Sequence, residues 1–177
     1  DVKDSEWIAD LVQHGLLQPS YIPDRDQREL RELVSYRRSL VQDRTRELNR
    51  LQKMLEGANI KLSGTITNIN GKSARNIIDT ILSGTAIDSS KYDEMYDNKV
   101  IAHNLKASKE QIIDDLNGFM SPLQRKMMKE LLKHVDELET HIEHLNDDID
   151  NHMKPDEKQA VEVIKDVTGL GITSAQT

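Results

Sequence analysis

The sequence contains no cysteine, and it is poor in aromatic and other apolar residues. It has one Trp and one Phe, and hydrophobic residues make up 36% of its 177 residues. The absence of Cys excludes disulfide bonds and thiolate metal sites, and it fits the cytosol. With so little apolar surface to bury, long helices paired along narrow stripes are favoured over one thick core. No run of about 18 apolar residues occurs, so we predict no contact with a membrane.

Apolar residues recur at helical spacing through most of the chain. The pattern predicts helices over 4–14, 24–56, 72–82, a short segment near Tyr92, 108–118, 122–153 and 156–167. Gly15, Gly57 and Gly84 are expected to end three of these helices, and Ser121 followed by Pro122 is a strong start signal. No segment has the pattern of a strand, so we predict a mainly α fold.

Two carboxylates stand close together at the start of the chain. Asp1 and Asp4 are three residues apart, which makes them neighbours on a helix, and they share an arc with apolar residues such as Trp7 and Ile8. Inward-pointing like charges repel unless a cation lies between them, and divalent metals fill that position in phosphodiester chemistry. From spacing alone, acids that interact with the helix dipole are the simpler interpretation.

The helix predicted over 24–56 holds eight of the ten Arg residues, although the net charge of the chain is −7. On a helical wheel its apolar, basic and acidic residues occupy three separate arcs. The basic arc consists of Arg28, Arg31, Arg38, Arg46, Arg50 and Lys53. Arg37 and Arg44 instead fall inside the apolar arc. A charged helix is usually a solvated surface. Because the signs are separated here, and because Arg binds phosphate with a planar fork, we favour contact with a nucleic-acid backbone.

The helix predicted over 122–153 has apolar steps of three and four residues, as in a coiled-coil seam. Its cations come early and its acids late, which opposes the helix dipole, and an antiparallel partner could compensate. We interpret it as an assembly or spacer helix, and we expect a homo-oligomer, at least a dimer, to form through the seams of 30–55 and 128–149. Four residues on one side, His141, His144, Asp148 and His152, could be imagined as metal ligands. One helix cannot surround an ion, so a polar flank is the better interpretation.

Three stretches resemble a known family. Residues 1–9, DVKDSEWIA, resemble the last acidic motif of the DEDD transposases of insertion elements, which are related to the Piv-type DNA invertases. Residues 14–62 are similar to that family along their whole length, and 63–160 only loosely in pattern. Residues 167–175, VTGLGITSA, resemble the opening of the family's second conserved domain. Thr168 stands there at a position where the family commonly has Pro.

The resemblance implies a specific chemistry. It implies a fold like the RuvC resolvase (RNase H-like) with four carboxylates, Asp, Glu, Asp and Asp, that bind Mg²⁺, and Asp1 and Asp4 match the third and fourth. It also implies a serine nucleophile, which would lie beyond Thr177, and a structured guide RNA that pairs with donor and target DNA. The amides of Gly169 and Gly171 would hold a DNA phosphate in this interpretation, although a lone Gly-x-Gly is most often only a turn.

Together these features predict an internal fragment of a bacterial DNA transposase. Residues 1–23 would be the end of the RuvC-like domain and a linker, 24–153 a helical coiled-coil region that contacts RNA, and 154–177 the start of the serine domain. The complete enzyme would cut and rejoin DNA strands in the cytoplasm, at the nucleoid, while the fragment alone would be inactive. The alternative is a non-enzymatic helical adaptor whose seams bind other proteins and whose aspartates only cap a helix.

Overall fold

The computed structural model describes residues 2–17, 20–102 and 107–165 and confirms the mainly α fold, with no strand in these ranges. The helices are α1 (Val2–Gln13), α2 (Arg25–Gly57), α3 (Leu62–Thr65), α4 (Lys72–Leu82), α5 (Ser89–Asp97), α6 (Lys109–Asp115), α7 (Pro122–His152) and α8 (Pro155–Lys165). Three residues expected to be functional, Asp1, Gly169 and Gly171, lie outside the described residues. No helix in the described ranges is long and apolar enough to cross a membrane.

Each of the two longest helices begins at a residue whose side chain caps it. The Asp24 carboxylate accepts a hydrogen bond from the Gln27 amide at 2.8 Å, at the start of α2. At the start of α7, the Ser121 hydroxyl accepts from the Gln124 amide, and the Gln124 side chain accepts from the Ser121 amide. Such reciprocal capping satisfies backbone donors that have no partner inside the helix. Helix α2 ends at Gly57, as expected, and the left-handed residue that follows is Asn59, with φ 60°.

Helices α2 and α7 pack against each other in an antiparallel pair. The buried side chains of Leu40, Leu138 and Ile142 form one apolar cluster between them. Nearer the start of α2, Val34 packs with Ile149 in a second cluster. The apolar stripes predicted on the two helices therefore cover each other within one chain, which accounts for both stripes without a second copy.

A small globule lies at one end of this pair, and it is built from the part of the sequence with the weakest helical pattern. Its core combines Leu51 and Leu55 of α2, Ile77 and Ile78 of α4, and Met128 of α7, all nearly inaccessible to solvent. Helices α3, α5 and α6 complete this core. The four-residue α3 is absent from the helices predicted above, since so short a helix has no periodicity.

Candidate nucleic-acid interface

Helix α1 carries the candidate metal ligand Asp4, and all of its residues are exposed except Leu11, which is half-buried. None of its residues is buried, and the apolar arc that was expected to face inward is open, with Trp7 65%, Ile8 49% and Val12 61% exposed. The expectation that Asp4 points into the protein body is therefore wrong for the described chain. The physical reason is that no described element packs closely enough on α1 to bury any of it.

The described residues supply only part of a metal site. A carboxylate such as Asp4 is suitable for Mg²⁺, which prefers oxygen ligands. However, no group of three or more His, Cys, Asp or Glu residues that could hold an ion occurs among the described residues. On the acidic part of α7, His152 is instead 2.8 Å from the backbone oxygen of Asp148 on its own helix. The carboxylate of Asp4 is thus a suitable ligand for a metal, but the described ranges contain too few such ligands to hold the ion.

The basic arc of α2 is exposed throughout, as its separation from the apolar arc on the helical wheel predicts. All six of its residues, Arg28, Arg31, Arg38, Arg46, Arg50 and Lys53, are solvent-exposed. We call this row of side chains the basic stripe. Its residues differ in their local pairing: Arg46 forms an ion pair with Asp43, and Arg50 with Glu47.

The other four residues of the basic stripe have no acidic partner at ion-pair distance in the part of the chain that the structure describes. These residues are Arg28, Arg31, Arg38 and Lys53. The Arg46–Asp43 pair joins two exposed side chains, so it contributes little and can be exchanged for another partner. The Glu47 side chain is only 11% exposed, so the Arg50–Glu47 pair is harder to exchange. The first half of the stripe therefore presents guanidinium groups that are already free to bind an anion, whereas Arg46 and Arg50 must first leave a carboxylate.

Two further arginines of α2 face α7, as their position inside the apolar arc predicts. Arg37 is buried and donates a hydrogen bond from Nη1 to Oδ1 of Asn146 at 3.3 Å. Burial lowers the pKa of Arg37 from its ordinary value, with nearby Asp150 opposing that shift. Arg44 lies 3.6 Å from the Glu139 carboxylate of α7. Such pairs supply the antiparallel compensation that the acidic second half of α7 requires.

A groove of about 500 Å³ runs beside the first half of the basic stripe. Arg31 and Arg38 stand on its α2 side, and Val34 and Ile149 contribute to its apolar floor. Helix α8 forms the opposite side through residues such as Val161. The sequence did not reveal this groove, because helical periodicity shows that α8 has an apolar face but not which neighbour that face meets.

One comparison with known proteins gives a match, and it covers the N-terminal third of the chain. The family model of the IS110-type DEDD transposases, described as a transposase, matches residues 1–60. These residues are therefore similar to the IS110-type DEDD transposases. The match contains Asp1, Asp4 and the whole basic stripe. No curated protein and no solved structure matches the chain. The match with a transposase family supports DNA transposition as the function, DNA cutting as the activity of the complete protein, and DNA as a partner.

Proposed function

We propose that this chain is part of an RNA-guided DNA transposase in which the basic stripe of α2 contacts the backbone of the guide RNA. The observation that carries the proposal is the row formed by Arg28, Arg31 and Arg38. These residues lie inside the transposase match, are exposed, and have no acidic partner at ion-pair distance among the described residues.

The dimensions of the stripe are suitable for a nucleic-acid backbone. From Arg28 to Lys53 the helix rises about 38 Å, at about 1.5 Å per residue. One turn of B-form DNA is about 34–36 Å, so a stripe of this length is long enough to contact several phosphates of a nucleic acid. No aromatic residue interrupts the stripe, so it would hold phosphates and would not stack bases. RNA is favoured over DNA for this surface only through the family resemblance.

In the same proposal, Asp1 and Asp4 bind Mg²⁺ for strand cleavage, together with carboxylates from outside this chain. The bound metal would stabilise charge on the phosphate, and a serine of a further domain would be the nucleophile. This proposal includes the domain boundaries 1–23, 24–153 and 154–177, and the phosphate contact of Gly169 and Gly171.

Replacement of Asp4 by Asn in the complete enzyme should abolish cleavage and leave nucleic-acid binding intact. Normal cleavage by that variant would contradict a role for Asp4 in metal binding.

The stripe is tested by the salt dependence of RNA binding. Each neutralised phosphate contributes about 0.7–0.9 to the slope of log affinity against log salt. The variant Arg31→Gln/Arg38→Gln should flatten the slope by about 1.4–1.8 and weaken binding to a structured RNA. Because Arg46 and Arg50 must first leave their carboxylates, Arg46→Gln/Arg50→Gln should weaken binding less.

A matched control separates the stripe from the overall charge of the chain. Arg25 lies on the acidic side of α2 and pairs with Glu29 at 2.7 Å, so Arg25→Gln removes a positive charge from another face. This variant should leave the slope unchanged. If Arg31→Gln/Arg38→Gln also leaves the slope unchanged, the stripe is only solvated surface.

A homo-oligomer stays a prediction, but it can no longer rest on uncovered apolar stripes of α2 and α7. Because the stripes of α2 and α7 cover each other within one chain, self-association through them would require two copies to exchange α7. Light scattering of the 177-residue chain at high concentration measures this directly, and a strictly monomeric mass would exclude it.

The adaptor alternative also has one observation in its favour. The apolar arc of α1, with Trp7 and Val12 more than half exposed, is a surface on which another protein could pack. An adaptor would bind its protein partner through this arc, and the Asp4→Asn variant of the complete protein would have no cleavage activity to lose.

A further inference from the structure

A second cavity, far along the chain from the basic stripe, lies at the edge of the globule. It has a volume of about 470 Å³ and is lined by Ile81 and 84–88 at and after the end of α4, by Ile113 and 116–120 around the end of α6, and by Arg125 of α7. Sites for small molecules commonly occupy about 300–1,000 Å³. No motif marks this cavity, because each segment contributes only a few residues to it.

The cavity contains a guanidinium group without a partner. The Nε atom of Arg125 is buried and makes no hydrogen bond, and no acidic side chain lies at ion-pair distance from Arg125 among the described residues. Its Nη1 atom would be 2.6 Å from a Cβ atom built on Gly84, a residue with φ +87°. Glycine at position 84 thus allows the guanidinium to reach this location. The Nη side of the guanidinium would supply the charged hydrogen bonds to an anion bound in the cavity.

The only Phe of the chain stands at the same cavity, and its side chain is 75% exposed. Its backbone is fixed, because the Phe119 amide donates a hydrogen bond to the Ala58 carbonyl at 3.0 Å. The neighbouring residue Met120 is buried in the core of the globule. The backbone at Phe119 is therefore anchored to the globule while its ring is exposed, although a large apolar side chain would gain free energy from burial.

The remaining lining suits a ligand with an apolar face and polar edges. Ile81 and Ile87 form apolar wall, while Thr85 and Asn117 offer hydrogen-bonding groups. Asp88 is the one carboxylate in the lining, and it accepts a hydrogen bond from the Lys91 amide as the cap of α5. Arg125 is the one cation in the lining, so a phosphate would bind at Arg125 and away from the Asp88 carboxylate.

We propose that this cavity binds an unpaired nucleotide of the nucleic acid that the protein holds. The base stacks on the Phe119 ring, the phosphate binds the Arg125 guanidinium, and the polar lining meets the edge of the base. Stacking on an aromatic ring tolerates every base, so the site selects an unpaired nucleotide over a paired one. The inference rests on the proposed function, because it takes the ligand of the whole protein to be a nucleic acid.

The test uses the 177-residue chain and free mononucleotides, which are too short to span the basic stripe. Titration with AMP and with UMP, followed by NMR, should shift the amide signals of Gly84, Asn117 and Phe119 in a saturable manner. Adenosine and inorganic phosphate should each bind more weakly than AMP, because each lacks one of the two contacts. Absence of these shifts up to about 10 mM nucleotide would overturn the proposal.

Three variants locate the binding. Arg125→Gln should weaken AMP binding at least about tenfold, as expected for loss of a charged hydrogen bond. Phe119→Leu keeps an apolar side chain at an exposed position, so it should fold normally and weaken binding by about 5- to 100-fold. Lys126→Gln removes an exposed charge outside the cavity and should have little effect.

Each contrary result overturns the proposal in a recognisable way. If Lys126→Gln weakens binding as much as Arg125→Gln does, the attraction is general electrostatics. If inorganic phosphate binds as tightly as AMP and Phe119→Leu has no effect, the cavity is an anion site and not a nucleotide site. Failure of the proposed function is seen in a different experiment, as an unchanged slope of log affinity for RNA against log salt in the Arg31→Gln/Arg38→Gln variant. The two failures are therefore distinguishable.

Discussion

Arg37 and Arg38 are neighbours in the sequence, yet Arg37 is buried against α7 while Arg38 is exposed beside the groove. Adjacent positions on a helix differ by about 100° in direction, so one residue faces the partner helix and the next faces solvent. At Arg37 the protein must desolvate the guanidinium, and the lowered pKa of this residue records that cost. At Arg38 the charge stays hydrated until a ligand arrives.

Replacement of Arg37 by Met should therefore cost little. Burial disfavours the charged form of Arg37, and the nearby acid Asp150 is exposed, so the replacement leaves no buried charge without a partner. Asn146, which accepts a hydrogen bond from Arg37, is exposed and can bind water instead. We expect the free energy of unfolding, measured in urea, to stay within about 1 kcal/mol of the original value or to rise. A loss of more than about 2 kcal/mol would show that the Arg37 contacts are net stabilising.

Asp24 provides a prediction that depends on pH. The hydrogen bond from the Gln27 amide, and then Lys154, hold the pKa of Asp24 below its ordinary value of 3.8. A carboxyl with a lowered pKa stabilises the fold above pH 3.8, and that contribution is lost as the pH falls through the lower, folded value. Asp24→Asn keeps the helix cap but not the charge. Its melting temperature should be lower than that of the unmodified chain at pH 7 and equal to it well below pH 3.8.

Asp24→Ala serves as the comparison for that measurement. It removes both the cap and the charge, so its melting temperature should be lower than that of Asp24→Asn at every pH. If the two variants melt at the same temperature, the hydrogen bond to Gln27 contributes nothing to stability.

At the scale of elements, the pairing of α2 with α7 is the main source of order outside the globule. Leu138 is buried at its centre, while Thr140, two residues away, is exposed. Leu138→Asp would place a carboxylate in an apolar environment and remove apolar contacts, so it should destabilise the chain by about 3–5 kcal/mol. Thr140→Asp adds the same charge on the exposed side and should change stability by less than about 0.5 kcal/mol.

Urea unfolding followed by circular dichroism measures both variants. Equal stability of Leu138→Asp and Thr140→Asp would mean that α2 and α7 do not depend on this seam. A change of oligomeric mass without loss of helix in Leu138→Asp would instead point to exchange of α7 between copies.

The sequence predicts the long helices better than their neighbours. One-sided periodicity and caps such as Ser121 predict the ends of α2 and α7 to within one or two residues of the observed ends. The same periodicity assigns Arg37 and Arg44 to the inner face. Periodicity shows a stripe but not what covers it, so the partner of each stripe could not be chosen. Helix α4 has a one-sided pattern and is predicted with its observed bounds, whereas α3, α5 and α6 contain only four, nine and seven residues, too few for periodicity to fix their bounds. The cavity at Phe119 depends on that packing and left no sequence signal.

At the scale of the whole molecule, catalysis depends on what the described chain brings together. Two-metal cleavage needs carboxylates from several elements around ions about 3.5–4 Å apart. The described residues contain no such cluster, and α1 presents Asp4 to solvent. We therefore expect the 177-residue chain, incubated with Mg²⁺, RNA and donor and target DNA, to bind RNA without cutting DNA. Metal-dependent cleavage that Asp4→Asn abolishes would show that the active site is already complete.

The antiparallel pair also has a consequence for how the protein is made. Leu40 and Leu138 meet in one cluster, yet about 100 residues of chain separate them. At a synthesis rate of about 5–20 residues per second, α2 leaves the ribosome roughly 5–20 seconds before its partner helix exists. During that interval its apolar stripe is uncovered, and the globule cannot close without the start of α7. The nascent chain therefore presents to chaperones, for several seconds, a surface that the finished protein conceals.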